Sequence, residues 1–451
     1  MARGIIEHMN IRTIVKSIIP SGVFRRIEPY GHLAEAILMN IKYGFPGRKV
    51  RVIGVTGTNG KTTTSFYLHS LLKEAGIKVG LMSTVAYGIG DDLIHPKLHM
   101  TTTQAGILQK RLRDFAKQGV EWVIVETSSH SLAQHRVWGV PYEIAVMTNL
   151  THDHLEYHGT FERYRDAKRR LFKIANKHGL RYGVVNADDE NHPYFASVIT
   201  NVETYGISSG DARATHIKPT KNGTKYTAII GKDRYSVTLS IPGQFNVYNS
   251  LAALTVGRKL GLSRKQIETG LAKLTDVEGR MNRIDEGQSF GVLVDFASTP
   301  DGFEKFFTSV RPLVKGRLIA VFGSAGRRDE NKRAAQGEIA GHFADVVVAT
   351  EEDNRDEDGA KILEAIAEGA AREGKTVGVD LFLIDDREEA IGYAMTLAKG
   401  ADDMVVLLGK GHEKTIERLD GEYPWDEAEI ARTALRALKT EEPKAKTKKR
   451  T

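Results

Sequence analysis

The stretch Val52-Ile53-Gly54-Val55-Thr56-Gly57-Thr58-Asn59-Gly60-Lys61-Thr62-Thr63-Thr64 constrains this chain more than any other. The run from Val50 to Val55 is largely apolar and reads as a buried parallel strand. Phe66, Leu68, Leu71 and Leu72 give the period of a helix that starts at Thr62. Glycines 57 and 60 let the backbone turn tightly between the two. Strand, glycine loop and helix N-terminus in that order make a phosphate cradle. Loop and helix N–H groups face the anion, Lys61 neutralises it, and the Thr62 hydroxyl can ligate Mg²⁺. Strict Walker A spacing asks for glycine at 55, where this chain has valine, so the match is to the shorter Gly-x-x-Gly-Lys-Thr-Thr form. The loop therefore predicts a nucleoside triphosphate site.

A chain of 451 residues has room for two or three domains with their own cores. It contains no cysteine, which excludes disulfides and thiolate metal sites and fits a reducing, cytoplasmic setting. No apolar run approaches the length of a membrane span, and no signal-peptide pattern stands at the N-terminus. The net charge of +7 raises the question of nucleic acid. The first fifty residues carry eight Lys/Arg against three acids and residues 441–451 carry five against two, which leaves the body one unit negative. Basicity confined to the ends argues against a nucleic-acid groove.

Residues 1–49 read as a short helical leader. Ile11, Ile14, Val15, Ile18 and Ile19 form one apolar face, Pro20-Ser21-Gly22 ends it, and a second helical pattern runs from Leu33 to Ile41. Packing onto the next domain is the favoured role, with a membrane-surface or partner contact as the alternative. Residues 50–279 alternate strand and helix as a parallel sheet does, with strands at 51–56, 79–84, 121–126, 144–149 and 182–187. Residues 201–241 read instead as antiparallel strands added at the sheet edge. A boundary near Gly279-Arg280 opens a second alternating unit, 280–440, with strands near 291–295, 317–322, 345–350, 379–384 and 403–408 and no phosphate loop. Residues 441–451 read as a disordered basic tail.

Four polar clusters fall where strands of the first unit end, which is where open α/β sheets build their sites. Thr101-Thr102-Thr103 offers three hydroxyls to a phosphate or carboxylate, or a helix cap. Glu126 ends an apolar strand in the position of a Walker B acid, with Ser128, His130, Gln134 and Arg136 close behind. Asn149 to His158 packs three histidines beside Asp153 and Glu156, too dense for a core, and its oxygen-rich setting favours Mg²⁺ over zinc. Asn186-Ala187-Asp188-Asp189 is the fourth. Lys168, on a helix between the third and fourth, reads by itself as part of a solvated face.

Together these residues resemble the Mur ligase family. Thr56 to Thr63 is similar to its ATP loop, Glu126-Thr127-Ser128-Ser129-His130 to its Glu-Val-Ser-Ser-His segment, and Asn149 to Leu155 to its Asn-Leu-x-x-Asp-His-Leu motif. The resemblance implies a P-loop central domain followed by a Rossmann-like ligase domain, using ATP and Mg²⁺. It implies Gly57, Thr58, Asn59, Gly60, Lys61, Thr62, Thr63, Asn246, Arg280 and Asp295 at the nucleotide, and Thr62, Glu126, His154 and a carbamylated Lys168 at the metal. Thr101, Thr102, Ser128, Gln134 and Arg136 would meet a muramoyl-peptide acceptor. Asp353, Asn354, Arg355, Gly409 and Glu413 would meet an incoming amino acid. Lys61, Glu126, His154 and Lys168 would carry the catalysis, adding an amino acid to the D-Glu of the acceptor.

The pattern also departs from the family. A UDP-binding domain of ~100 residues is expected before the ATP loop, where this sequence has its leader. Ser298 stands where the family has histidine, and Glu352-Asp353-Asn354-Arg355 where diaminopimelate-adding members have Asp-Asn-Pro-Arg. Two other readings stay open: a related ligase with a non-UDP acceptor, of folate polyglutamate or cyanophycin type, and an ATP-binding module without ligase activity.

Overall fold

The computed structural model describes residues 21–96, 100–220 and 223–441. In the first sheet β1 is Arg51–Thr56, β2 Val79–Met82, β3 Tyr87–Ile89, β4 Asp92–Ile94, β5 Trp122–Glu126, β6 Tyr142–Met147, β7 Tyr182–Asn186, β8 Asn201–Gly206, β9 Ala212–Thr220, β10 Gly223–Ile230 and β11 Asp233–Leu239. They lie in the order β11-β10-β9-β8-β7-β6-β1-β5-β2-β3-β4. Pairing is parallel from β9 through β2, and antiparallel for β9–β10–β11 at one edge and β2–β3–β4 at the other. The antiparallel edge expected over 201–241 holds for β9–β10–β11, whereas β8 pairs in parallel with both β7 and β9; the Tyr87–Ile94 hairpin was not anticipated. Three-residue strands give too short a period to read.

The phosphate-loop strand sits at the middle of this sheet. β1 pairs with β5 through Gly54↔Val125 and with β6 through Gly54↔Ala145, so all three strands end side by side. That brings Gly57, Glu126 and Thr148-Asn149 to one edge. Side chains alternate between two cores: Ile53, Val55, Leu68, Leu71 and Leu72 fill one, and Val52, Val125, Tyr164, Leu171 and Phe172 the other. Each fully buried Leu or Val contributes about 1.5–3 kcal/mol. The phosphate loop is therefore mounted on a strand packed between two cores.

Helix Ser21–Tyr43 is continuous through Pro29. The helix expected before Pro20 lies outside the described residues, and Ser21 and Gly22 are the first residues of this one. It packs on helix Ala105–Lys117 by Ala36 and Asn40, whose Nδ2 donates to the Trp138 carbonyl at 3.0 Å. The Ile11–Ile19 face and the 442–451 tail lie outside the described residues. Among the described residues no helix is long and apolar enough to cross a membrane.

The second sheet contains β12 Asn282–Arg283, β13 Gly291–Asp295, β14 Leu318–Phe322, β15 Val346–Ala349, β16 Leu381–Leu383 and β17 Met404–Leu408, ordered β12-β13-β17-β14-β15-β16. Only β12 is antiparallel to its neighbour. A separate hairpin, β18 Thr415–Arg418 and β19 Gly421–Pro424, follows. The segment between the sheets is stitched to the second one. Met281 N–H donates to Asp295 at 2.7 Å, and Phe296 N–H to the Gly279 carbonyl at 3.0 Å. A Cβ on Gly279, at φ +65°, would stand 2.3 Å from the His412 nitrogen, so only glycine fits there.

Candidate active site

A cavity of about 870 Å³ lies between the ends of the two sheets. From the first unit it is lined by Thr58 to Thr63, Thr101, Glu126 and Asn149 to Leu155, and from the second by Arg280, Asp295 to Pro300, Glu352, Asp353, Arg355 and Glu413. At its floor the 57–60 turn is fixed by contacts that exclude any side chain. A Cβ on Gly57 would fall 1.8 Å from Thr148 Oγ1, and one on Gly60 2.2 Å from Asn249 Oδ1. Asn149 braces the same turn twice: its Oδ1 accepts Asn59 N–H at 2.9 Å and its Nδ2 donates to the Asn59 carbonyl at 3.0 Å. Thr58 Oγ1 lies 2.9 Å from the buried Tyr164 hydroxyl.

Three charged groups converge behind the loop. Lys61 Nζ rests on the Thr58 carbonyl at 2.7 Å, and Lys168 Nζ on the Gly57 carbonyl at 2.5 Å. Thr62 Oγ1 donates to the Glu126 carboxylate, 3.1 Å from each oxygen, and Thr84 N–H adds a bond at 2.8 Å. Lys168 is 2% exposed. Burial pushes its pKa well below the ordinary lysine value, and the Lys61 charge pushes the same way while Asp153 opposes. Burial also lowers Lys61, with Glu126 and Asp153 opposing. Lys168 is thus inside, on the packed face of helix Phe161–Ala175 with Tyr164, Leu171 and Phe172.

These residues fit an Mg²⁺–triphosphate. The turn leaves room only for backbone, and the facing donors are a hydroxyl and a carboxylate, which suit a hard cation. Mg²⁺ is bound by one or two carboxylates plus phosphates, and Glu126 beside the loop supplies one such carboxylate. His154, in the left-handed region at φ 54°, lines the cavity and packs edge-on against His130 at 4.6 Å between ring centroids.

Several other expected residues are held differently. Thr102, Ser128, Gln134 and Arg136 do not line the cavity. Thr102, Ser128 and Arg136 sit behind Glu126 and bond to one another: Thr102 Oγ1 donates to the Glu126 carbonyl at 2.9 Å and accepts Ser128 N–H at 2.9 Å, and buried Arg136 reaches the Thr102 and Thr103 carbonyls. Asn246 is buried, donating to the Pro242 carbonyl at 2.7 Å and accepting from Asn249 at 3.0 Å; Asn249 is the one that lines the cavity. Arg280 Nη1 donates to the Gly279 carbonyl at 2.8 Å, and its guanidinium stands 4.5 Å from the Phe296 ring centroid.

At the far end Lys410 Nζ lies between Asp353, at 2.9 Å, and Glu413, at 2.6 Å. Burial works against its charge, but the two carboxylates prevail and raise its pKa. Arg355 pairs with Glu417 at 2.8 Å. Sequence reasoning gave no role to Asn149, Asn249, Lys410 or Asp301, although Asn149 stood in a strand-end cluster already singled out. Asp301, from helix Pro300–Val310 of the second unit, accepts Asn59 Nδ2 at 2.7 Å and so touches the phosphate loop itself.

A phosphate loop at the end of a central parallel strand, facing a second α/β unit across one cavity, defines a nucleotide-dependent enzyme that joins two reactants. Residues 55–257 match the Mur ligase middle domain and residues 279–411 the Mur ligase, glutamate ligase domain. The chain belongs to the Mur ligase family. It is 43% identical to a UDP-N-acetylmuramyl-tripeptide synthetase of Roseiflexus sp., covering 91% of this chain and 83% of that one. It is 39% identical to the UDP-N-acetylmuramoyl-L-alanyl-D-glutamate–2,6-diaminopimelate ligase of Caldanaerobacter subterraneus subsp. tengcongensis, over 87% and 80%. A solved structure of a ligase of that second name superposes with a TM-score of 0.61 at 33% identity, over 86% of this chain and 79% of that one. A Mycobacterium tuberculosis folylpolyglutamate synthase reaches 0.71 at 17% identity, over 91% and 95%, which shows a shared fold. The chain is an ATP-dependent amide ligase, and its family ties it to peptidoglycan synthesis.

Proposed function

We propose that this chain adds an amino acid to the D-Glu carboxyl of UDP-N-acetylmuramoyl-L-Ala-D-Glu, with ATP cleavage driving the step through an acyl phosphate. The observation that carries this reading is the single cavity that joins Lys61, Thr62 and Glu126 of one unit to Arg280, Asp353 and Glu413 of the other. The names of the relatives support the acceptor and make 2,6-diaminopimelate the first amino acid to test.

In this reading Lys61 and the 57–60 N–H groups hold the triphosphate, and Lys61 offsets charge as the γ-phosphoryl moves to the acceptor carboxylate. Thr62, Glu126, His154 and Lys168 would hold Mg²⁺, which supplies charge neutralisation of the phosphates. Lys168 takes that role as a carbamate. Burial lowers its pKa and so favours the neutral amine, the form that adds CO₂ to give a negative group. The 50–279 and 280–440 units close over the acyl phosphate and exclude the water that would hydrolyse it.

The test is phosphate release from ATP and Mg²⁺ with UDP-N-acetylmuramoyl-L-Ala-D-Glu and a panel of amino acids. Release that requires acceptor and one amino acid together establishes the reaction. Release with a folate or peptide acceptor instead, or ATP binding without release, replaces the reading by one of its two alternatives.

A further inference from the structure

Once the acceptor carboxyl is activated, its partner must attack as a free amine, yet an amino acid arrives as an ammonium with no lone pair. Something at the second unit's end of the cavity has to take that proton. Its carboxylates are mostly committed. Asp353 is bonded to Lys410 Nζ and to Glu417 N–H at 2.9 Å, Glu413 to Lys410, and Glu351 to Arg418. Glu352 differs. It lines the cavity and is 6% exposed, yet its Oε2 has no hydrogen-bond partner among the described residues. That oxygen is packed against Gly409, where a Cβ, at φ +104°, would lie 2.5 Å from it, and the glycine lets the unbonded carboxylate sit at the cavity wall.

Resting on the ligase reading above, we propose that Glu352 is the general base that deprotonates the incoming amino acid. The ammonium N–H passes its proton to the Glu352 carboxylate, and the freed lone pair attacks the acyl carbon. The C–N bond forms as the C–O bond to phosphate breaks. The second amine proton leaves with the departing phosphate, and Glu352 returns its proton to solvent.

The surroundings suit the task. Burial raises the Glu352 pKa. Lys332 on helix Asn331–Phe343, Lys410 after β17 and Arg387 on helix Arg387–Leu397 lower it, and neighbouring Asp353 raises it further. A carboxylate raised in this way holds a proton better than an ordinary glutamate.

The experiment compares two nucleophiles on wild-type enzyme and Glu352→Gln, following phosphate release with ATP, Mg²⁺ and acceptor. One nucleophile is the amino acid; the other is hydroxylamine, already a free amine at neutral pH. We expect Glu352→Gln to lose about 10²–10⁴-fold in kcat with the amino acid, with little change in its KM, and to keep the hydroxylamine reaction. The deficit should shrink by about tenfold per pH unit as alkali deprotonates the ammonium directly. Wild-type kcat in the variant, or a loss confined to KM, overturns the proposal and leaves the ligase reading standing. No release from wild-type enzyme with either nucleophile removes the ligase reading itself, and this proposal with it. If Glu352→Gln loses the hydroxylamine reaction as well, Glu352→Asp decides. A partial loss that keeps the acid limb of the pH profile supports the base, and an unchanged rate and profile overturns it.

Discussion

The two ends of the cavity hold their cations in opposite ways. At the first, Lys61 rests on the neutral carbonyl of Thr58, so its charge is not cancelled by a carboxylate of the loop. At the second, Lys410 lies between Asp353 and Glu413, Arg355 faces Glu417, and Arg387 faces Glu427 with both side chains fully buried. A cation on a carbonyl keeps its charge for an incoming anion. A cation between carboxylates fixes the backbone and leaves the region neutral or negative. In the proposed reaction the first end binds phosphate and the second holds a shape around an amine-bearing reactant.

Replacing Lys61 by Ala tests the first half of that comparison and carries the largest expected effect. It removes charge where charge develops, so phosphate release should fall by about 10³-fold while the thermal unfolding midpoint stays near wild type. A fall under tenfold would mean that Lys61 is not at the reacting phosphate.

Glu427→Gln breaks the second half. The carboxylate bonds Arg387 Nη2 at 2.6 Å and Trp425 Nε1 at 2.8 Å, and Arg387 also donates to the Glu351 and Leu408 carbonyls. Leaving a buried guanidinium without its counter-charge costs about 3–5 kcal/mol. Denaturant unfolding should show that loss, and activity per folded molecule should be retained. Equal losses of stability and turnover would erase the distinction between the two ends.

The same contrast explains what could be read in the sequence. The first end was legible because its chemistry is carried by neighbours in sequence: Gly57, Gly60, Lys61 and Thr62 act from one turn, and Glu126 ends a strand of five buried residues. Lys168 was misplaced by residue-type reasoning alone, which put lysine on a solvated face. Yet Tyr164, Lys168, Leu171, Phe172 and Ala175 share one helical period, and that period put it inside. The second end was less legible because its contacts are long-range. Nothing local announces that Gly409 makes room for Glu352, or that Asp301 reaches Asn59. Arg136 and Thr102 carry the same lesson: a motif gives residue types in order, and here the fold directs them to each other.

Lys168→Arg sharpens the charge argument at the first end with a smaller effect. Arginine keeps the cation but cannot become a carbamate, so activity should drop by about 10²-fold. In the wild-type protein, intact mass under bicarbonate should show one added CO₂. The sign of the pH dependence follows from the lowered pKa. Acid protonates the amine and removes the carbamate, so activity lost on the acid side should return with added bicarbonate. Wild-type activity in Lys168→Arg would leave the buried amine a purely structural group.

The smallest expected effect lies where the two ends meet. Asp301 stands in the first turn of helix Pro300–Val310, and its carboxylate accepts Asn59 Nδ2 at 2.7 Å, Lys305 Nζ at 2.8 Å and Thr151 Oγ1 at 3.4 Å. It is a carboxylate of the second unit set against the phosphate loop of the first. Asp301→Ala removes two bonds between the units, a short one from Asn59, worth about 1 kcal/mol net, and a long one from Thr151, together with a negative charge from the loop's vicinity. The two changes oppose each other for a triphosphate. Losing the brace lets the loop relax, while losing the charge favours the anion. We expect KM for ATP to change by no more than about fivefold, a range set by the shorter of the two bonds, with kcat lowered in step with looser closure. A drop in kcat above a hundredfold would place Asp301 in the chemistry and show that the two ends act as one site rather than two that meet.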